Sequence, residues 1–160
     1  METKHKIAAG VSLLTLICAS YIPFLPKKQF SFKNVFVQTD SYSCGYCCLR
    51  MIFEYYDIKK IDYTKMRSQL ASNRKGTSML NLKRYSNTAG LKAKGLNVPN
   101  LEQLDSYTPC IIRINSNHFV VVDSMKNGFI YVRDPLEGNV MFKKHELPSK
   151  WDNVVLVFQK

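Results

Sequence analysis

Residues 38–56 read QTDSYSCGYCCLRMIFEYY, and the interpretation of the whole chain starts from this stretch. Apolar residues recur at three- and four-residue steps, which predicts a helix that begins near Cys44. Asp40 and Ser43 precede it and are residue types that cap helix starts. A thiol at a helix N-terminus lies at the positive end of the helix dipole, so we expect a lowered pKa for Cys44. Gly45 has no side chain, and we expect it to let a substrate approach closely.

Length and charge limit the classes of partner. A chain of 160 residues normally forms one domain with a core of useful size. The formal net charge is +11, of which residues 1–26 supply +1 and the remainder +10. Such a balance suits an acidic partner: a nucleic acid, an anionic lipid or an acidic peptide. The lysines are scattered and no module that combines basic and aromatic residues is recognisable, so we expect no nucleic-acid partner.

The cysteines do not indicate a disulfide framework, because their number is odd and several crowd into one helical turn. No second C-x-x-C pair accompanies the one in the quoted stretch, so a structural zinc site is not indicated, and we expect neither a metal nor a cofactor. A reactive thiol among buried ones fits this pattern better. The five cysteines are Cys18, Cys44, Cys47, Cys48 and Cys110.

The N-terminus forms a distinct segment. Residues 7–25 contain no charged residue, have lysines on both sides and are about long enough to cross a bilayer as a helix. We favour a single-pass membrane anchor over residues 1–26. A cleaved signal peptide, which would make the protein secreted or periplasmic, is the alternative. The flanking charges roughly balance, so the side of the membrane is not determined. Residues 27–34 are interpreted as a linker and residues 35–160 as the folded domain.

After the cysteine helix, the pattern predicts further short helices over residues 64–72, 79–90 and 100–106. From residue 109 onwards it changes to β-branched and aromatic runs at short intervals: CIIRI, FVVV, FIYV and VVLVF. Asn127-Gly128 separates two of these runs and is a strong hairpin signal. Helices followed by an antiparallel sheet is an α+β pattern.

Two residues of the predicted sheet complete a candidate site. His118 stands at the start of one strand of the predicted hairpin, and Asp134 at the end of the other. The two side chains can therefore lie side by side, with the aspartate accepting from one ring nitrogen and the other nitrogen facing a nucleophile. His5 precedes the membrane segment and His145 lies in a charged loop, so His118 is the one convincing base.

Four groups of residues follow one another along the chain: Gln38 with Cys44-Gly45 and the apolar helix, Gly76-Thr77-Ser78 with Gly90-Leu91, Pro109 and Ile111 with His118 to Val121, and Asp134-Pro135 with Gly138. In this order of motifs the chain resembles the bacteriocin-processing peptidases, papain-like cysteine peptidases that cut leader peptides after a double glycine. The resemblance covers residues 37–158.

The resemblance implies a catalytic role for four residues. Cys44 would be the nucleophile, His118 the general base and acid, and Asp134 the residue that orients His118. Gln38 would donate its amide to the oxyanion, a contribution of roughly 3 kcal/mol for such a donor. The chain departs from the family at three places, none of them catalytic: Ser43 replaces a residue that is often acidic, Cys47 and Cys48 replace small residues, and Asp57 replaces a common glycine.

The family also implies partners and one alternative function. The expected substrate is a leader-bearing precursor peptide, and because no Walker motif is present we expect any ABC-type peptide exporter to be a separate chain. Some relatives keep the fold as docking domains without catalysis. A second alternative comes from the residues themselves: Cys44-Gly45-Tyr46-Cys47 is a C-x-x-C at a helix start, which is also the pattern of thiol oxidoreductases.

Overall fold

The computed structural model describes residues 31–71, 74–147 and 151–160. The predicted anchor, residues 1–26, lies outside these ranges, as does the first half of the predicted linker. No helix in the described part of the chain is both long and apolar enough to cross a bilayer.

The described residues form helices followed by strands, as the α+β pattern predicted. Two short 3-10 helices, Leu101–Tyr107 and Lys144–Glu146, lie between strands. The α-helices and strands are α1 (Cys44–Tyr55), α2 (Tyr63–Leu70), α3 (Met79–Thr88), β1 (Lys92–Asn97), β2 (Cys110–Ile114), β3 (His118–Lys126), β4 (Phe129–Asp134), β5 (Gly138–Lys143) and β6 (Trp151–Gln159).

The strands form one antiparallel sheet of six strands in the order β1-β6-β2-β3-β4-β5. The sequence identified β2, β3, β4 and β6 but neither β1 nor β5. Both missed strands are at the edges of the sheet. Edge strands face solvent on one side and need no β-branched run, and β1 buries only Ala93 among its residues.

The predicted hairpin between β3 and β4 is confirmed. Asn127 and Gly128 both have positive φ, +52° and +79°, which is the left-handed conformation that a two-residue hairpin turn requires. The paired register runs from Lys126–Phe129 back to Val121–Arg133. Asp134 and Gly138 then pair with each other and close the turn into β5.

Buried side chains pack on both faces of the sheet. One core lies between the sheet and the helices, and α1 supplies more of it than any other element, packing chiefly against β3. The second core lies on the opposite face and is covered by the 3-10 helix Leu101–Tyr107 and the chain around Leu147. The cysteine helix is therefore held against the central strands.

The helix starts are capped differently. Asp62 accepts a hydrogen bond from Lys65 N at the start of α2, and Ser78 accepts one from Asn81 N at the start of α3. Ser43 holds the N-cap position of α1, but its hydroxyl makes no capping hydrogen bond. The prediction that a side chain caps the start of α1 with a hydrogen bond was therefore wrong. The first turn of α1 is regular nonetheless, because Cys47 N donates to Ser43 O at 3.0 Å.

Candidate active site

Three predicted site residues meet at one end of the sheet. Cys44 is the first residue of α1, His118 the first of β3 and Asp134 the last of β4. The β3–β4 hairpin brings His118 Nε2 to 2.8 Å from Asp134 Oδ1. The other ring nitrogen, Nδ1, is then left for Cys44, and the thiol and the imidazole interact closely enough to shift each other's pKa. The side-by-side placement of His118 and Asp134 predicted from the hairpin is what the structure contains.

Asp134 is held as a buried, ionised carboxylate. Its Oδ1 also accepts hydrogen bonds from Leu136 N at 2.7 Å and Glu137 N at 3.3 Å, and the residue is only 4% exposed. Burial alone would raise its pKa, but the hydrogen bond and the positive charge of His118, with the two backbone donors, bring the pKa below its usual value. Asp134 therefore carries the negative charge that orients the imidazole.

The His118 imidazole is stabilised in its protonated form. Burial would lower its pKa, but the hydrogen bonds to Asp134 and Cys44, together with their negative charges, raise the pKa to about 9. At neutral pH the ring therefore carries a proton on each nitrogen. It can pass one of them to a leaving group while Asp134 holds the other.

Cys44 has the complementary shift. Burial would raise its pKa, since the residue is only 6% exposed. The hydrogen bond from His118, the backbone N–H of Phe119, the charge of His118 and the N–H of Gly45 outweigh burial, so that the pKa of Cys44 is lowered. A thiolate beside an imidazolium is the reactive form of a catalytic cysteine.

The sequence reasoning missed Phe119 and gave Gly45 a different role. Phe119 acts through its backbone N–H, and the only sequence signal for it is its place directly after His118. A Cβ built on Gly45 would lie 2.5 Å from the Thr77 methyl and 3.2 Å from the Phe119 ring. The space beside Gly45 is thus filled by the protein, and the glycine is needed for close packing of α1 against residue 77, not for the approach of a substrate.

The other three cysteines in the described part of the chain are electrostatically unlike Cys44. Burial is the main cause in each case: it raises the pKa of Cys47 to about 11 and raises the pKa values of Cys48 and Cys110 well above the usual value. These side chains are 2% exposed or less. They pack in the core as small apolar residues.

Gln38 lies beside the Asp134 turn. Its backbone N–H donates to Pro135 O at 2.9 Å, and its side-chain Nε2 donates to Asp40 O at 2.9 Å. Arg67 from α2 holds the Asp40 carboxylate at 2.8 Å. An amide nitrogen has two hydrogens, so one of them remains for another acceptor.

A second arginine anchors the same segment. The Arg50 guanidinium stacks between the rings of Phe36 and Tyr63, 3.3 and 4.1 Å from their centroids. This stacking ties the chain just before Gln38 to α1 and α2. Among the described residues, no three His, Cys, Asp or Glu side chains converge as ligands of a metal ion.

Comparisons with known proteins find similar sequences and folds. The family model described as Peptidase C39 matches residues 33–160. The colicin V secretion/processing ATP-binding protein CvaB of Escherichia coli is 27% identical over 119 residues, which are 74% of this chain and 17% of that protein. The probable functional amyloid protease FapD of Pseudomonas aeruginosa is 28% identical over 138 residues, covering 80% of this chain and 61% of that protein. The chain thus spans less than two thirds of the length of either relative.

Two solved structures are similar over most of the described chain. A double glycine motif protease from an AMS/PCAT transporter, crystallised with its leader peptide, has a TM-score of 0.71 and 32% identity, and the match covers 78% of this chain and 89% of that one. The peptidase domain of Streptococcus ComA has a TM-score of 0.68 at 18% identity, covering 78% and 96%, and supports the fold alone.

Proposed function

The chain belongs to the peptidase C39 family, and on that premise we propose that it removes double-glycine leaders from secreted, bacteriocin-like precursor peptides. It has the papain-like α+β fold of that family and is a cysteine peptidase by membership. The observation that carries the proposal is the hydrogen-bonded pair His118–Asp134 beside Cys44, with the lowered pKa of the thiol and the raised pKa of the imidazole. The solved relative with a bound leader supports the class of substrate.

In the proposed reaction, the Cys44 thiolate attacks the carbonyl carbon of the second glycine and forms a tetrahedral intermediate. The Cys44 backbone N–H is free to donate to the oxyanion, because the first residue of a helix has no intrahelical partner for it. The uncommitted hydrogen of Gln38 Nε2 is the second donor. As the C–N bond breaks, His118 gives its proton to the leaving amine, and a thioester remains on Cys44.

Water then completes the cycle. His118, now neutral, takes a proton from a water molecule, whose oxygen attacks the thioester carbonyl. The C–S bond breaks, the leader leaves with a free carboxylate, and the thiolate–imidazolium pair is restored. Asp134 remains ionised throughout and fixes the Nε2 proton that keeps the imidazole in its working tautomer.

Product mapping tests the proposal. Full-length protein in detergent is incubated with synthetic precursor peptides that carry double-glycine leaders, and the products are identified by mass spectrometry. We expect a single cut after the second glycine by the wild type and none by Cys44→Ala. An unchanged product pattern in Cys44→Ala contradicts the assignment of the nucleophile. Binding without cleavage by the wild type would favour a docking domain, and reduction of insulin disulfides would favour an oxidoreductase.

The similarity to FapD supports a second candidate substrate, a precursor of an amyloid-forming protein, because that match covers more of the relative than the match to the transporter does. The same mass-spectrometric assay separates the two candidates when both kinds of precursor are offered. Preferential cleavage of the amyloid precursor would replace the bacteriocin-like class.

We also propose that residues 1–26 anchor the enzyme at a membrane, where an ABC-type exporter receives the processed peptide. The support is the run of uncharged residues from 7 to 25 between lysines and the relatives named as secretion/processing ATP-binding proteins. Fractionation and N-terminal sequencing test this. A full-length chain in the soluble fraction rules out an anchor, and a mature N-terminus near residue 21 indicates a cleaved signal.

A further inference from the structure

Three large apolar side chains are exposed around the turn that follows Asp134. Leu136 is 60% exposed, Val37 49% and Phe32 48%. Single exposed apolar residues are ordinary on a protein surface, but apolar residues gathered beside a reactive group are a mark of recognition. We refer to Phe32, Val37 and Leu136 together as the rim.

Hydrogen bonds join the segments that carry the rim. Gln38 N donates to Pro135 O, so Val37 and Leu136 each lie one residue from the same bond. Asn139 N donates to Ser31 O at 2.7 Å, and a Cβ built on Gly138 would lie 3.2 Å from the Phe32 ring. The rim is therefore borne by two segments fastened around residues 135–139, not by unrelated parts of the surface.

The rim is also continuous with the catalytic pair. Leu136 N donates to the same Asp134 oxygen that holds His118, so Leu136 stands immediately beyond that carboxylate. Val37 directly precedes Gln38, the second oxyanion donor of the proposed reaction. Any chain that leaves the nucleophile on the side of His118 and Asp134 passes close to this surface.

The chemistry determines which part of a substrate leaves on that side. His118 must deliver its proton to the amine nitrogen released by the cut, so that nitrogen lies next to the imidazole. The residue that follows the cut is bonded to it and extends past His118 and Asp134. The leader lies on the other side of the scissile bond.

We propose that the rim binds the first residues after the scissile bond and favours apolar side chains there. The inference rests on the proposed peptidase function and adds a specificity on the product side of the cut. Since the rim is a surface and not a closed pocket, only part of an apolar side chain is buried. We expect a preference of about three- to tenfold in kcat/KM.

Three peptides test the proposal. They share one double-glycine leader that the wild-type protein cleaves and carry Leu, Asn or Gly directly after the cut. Leu and Asn have similar shapes, so their ratio of kcat/KM isolates polarity. We expect full-length wild type to cleave the Leu peptide about three- to tenfold faster than the Asn peptide. Leu136→Ser and Val37→Ser should each lower that ratio by about twofold or more.

Leu80→Ser is the matched control. Leu80 is an exposed leucine on α3, 51% accessible, and outside the rim, so its replacement should leave the Leu-to-Asn ratio unchanged. Because Val37 and Leu136 lie on different segments, a folding defect in one variant leaves the other informative.

The outcomes distinguish failure of the rim proposal from failure of the proposed peptidase function. Equal cleavage of the Leu and Asn peptides by the wild type overturns the rim proposal alone. So do rim variants that slow both peptides equally, since the rim would then act only by placing Asp134. If the rim variants change only the sedimentation behaviour of the protein, the rim joins two copies of the chain. That result overturns the rim proposal as well. No cleavage of any double-glycine peptide by the wild type refutes the proposed function itself.

Discussion

Cys44 and Cys47 lie one turn apart on the same helix, and both are nearly buried, yet their pKa values shift in opposite directions. Burial opposes ionisation at both positions. Only Cys44 reaches the start of β3, where the His118 ring and the Phe119 N–H stabilise its negative charge. A helix start is therefore not sufficient to activate a thiol, and the partner on the sheet decides which of the two cysteines has a lowered pKa.

The strongest way to test this contrast is to remove each thiol in turn. Cys44→Ala and His118→Ala should each reduce kcat by about 10⁴-fold or more, because the nucleophile or its proton donor is lost. Cys47→Ala, one turn away, should retain cleavage within a few-fold. Steady-state kinetics on a double-glycine peptide, with circular dichroism to confirm folding, provide the measurement. If Cys47→Ala lost activity while its fold stayed intact, the proposed distinction between a nucleophilic Cys44 and a Cys47 that only packs would be wrong.

Asp134→Asn tests how His118 acquires its advantage. The amide keeps the shape but removes the charge and the fixed tautomer, so we expect kcat to fall roughly 10³-fold. Because the hydrogen bond to Asp134 is the main cause that raises the pKa of His118, that pKa should fall as well. The alkaline limb of kcat/KM should then move to lower pH in the variant. If Asp134→Asn is slower but its kcat/KM declines at the same alkaline pH as that of the wild type, Asp134 only positions the ring.

The pH dependence of alkylation and of cleavage should differ. Iodoacetamide needs only the thiolate, so labelling of Cys44 should rise with pH, reach a plateau above its lowered pKa and persist above pH 9. Cleavage also needs the His118 proton, which is lost as pH rises through about 9, so kcat/KM should decline there. Below the Cys44 pKa, both should fall about tenfold per pH unit.

Peptide mapping of the labelled protein identifies the modified thiol. Label on Cys47 or Cys48 in the folded protein at neutral pH would contradict the assigned difference between these cysteines. Coincident alkaline limbs for labelling and cleavage would show that His118 is not the proton donor.

The smallest expected effect concerns the cysteines that only pack. Cys48 is fully buried, and Cys48→Ala should lower the free energy of unfolding by about 1 kcal/mol, because a small cavity replaces the sulfur. Its activity should match the wild type at temperatures where both are folded. Denaturant unfolding measures the first quantity, and a parallel kinetic assay the second. A large loss of activity without loss of stability would give Cys48 a part in the reaction.

Local signals in the sequence account for much of this site. The apolar periodicity located α1, and Asn127-Gly128 fixed the turn that brings His118 and Asp134 together, because both patterns depend on residues close in the chain. The contribution of the Phe119 N–H to Cys44 was not predictable in this way. This contact forms only when two segments far apart in sequence pack together, and neither a cysteine nor a phenylalanine is a residue type that predicts it.

The errors have the same origin. Gly45 looked like room for a substrate, and only the fold shows that Thr77 occupies the space. Strand β1 was missed because it has neither strong alternation nor an apolar run, and β5 because its apolar run, residues 140–142, is shorter than the runs that identified the other strands. Asp57, one of the departures from the family pattern that the sequence analysis noted, has a φ of +53°, a left-handed conformation that aspartate tolerates. The roles of Cys44, Gln38, His118 and Asp134 remain predictions until the variants are measured.

The short loop between β3 and β4 has a consequence for the order in which the site assembles during folding. His118 and Asp134 come from neighbouring strands and can meet early, whereas Cys44 joins them only when α1 packs on the sheet. Before that docking, the thiol lacks the two partners on β3 that lower its pKa, the His118 side chain and the Phe119 N–H, and less of it is thiolate at neutral pH. Docking of α1 on the sheet is thus the step that activates the thiol, and a newly made or damaged chain lacks the thiolate–imidazolium pair.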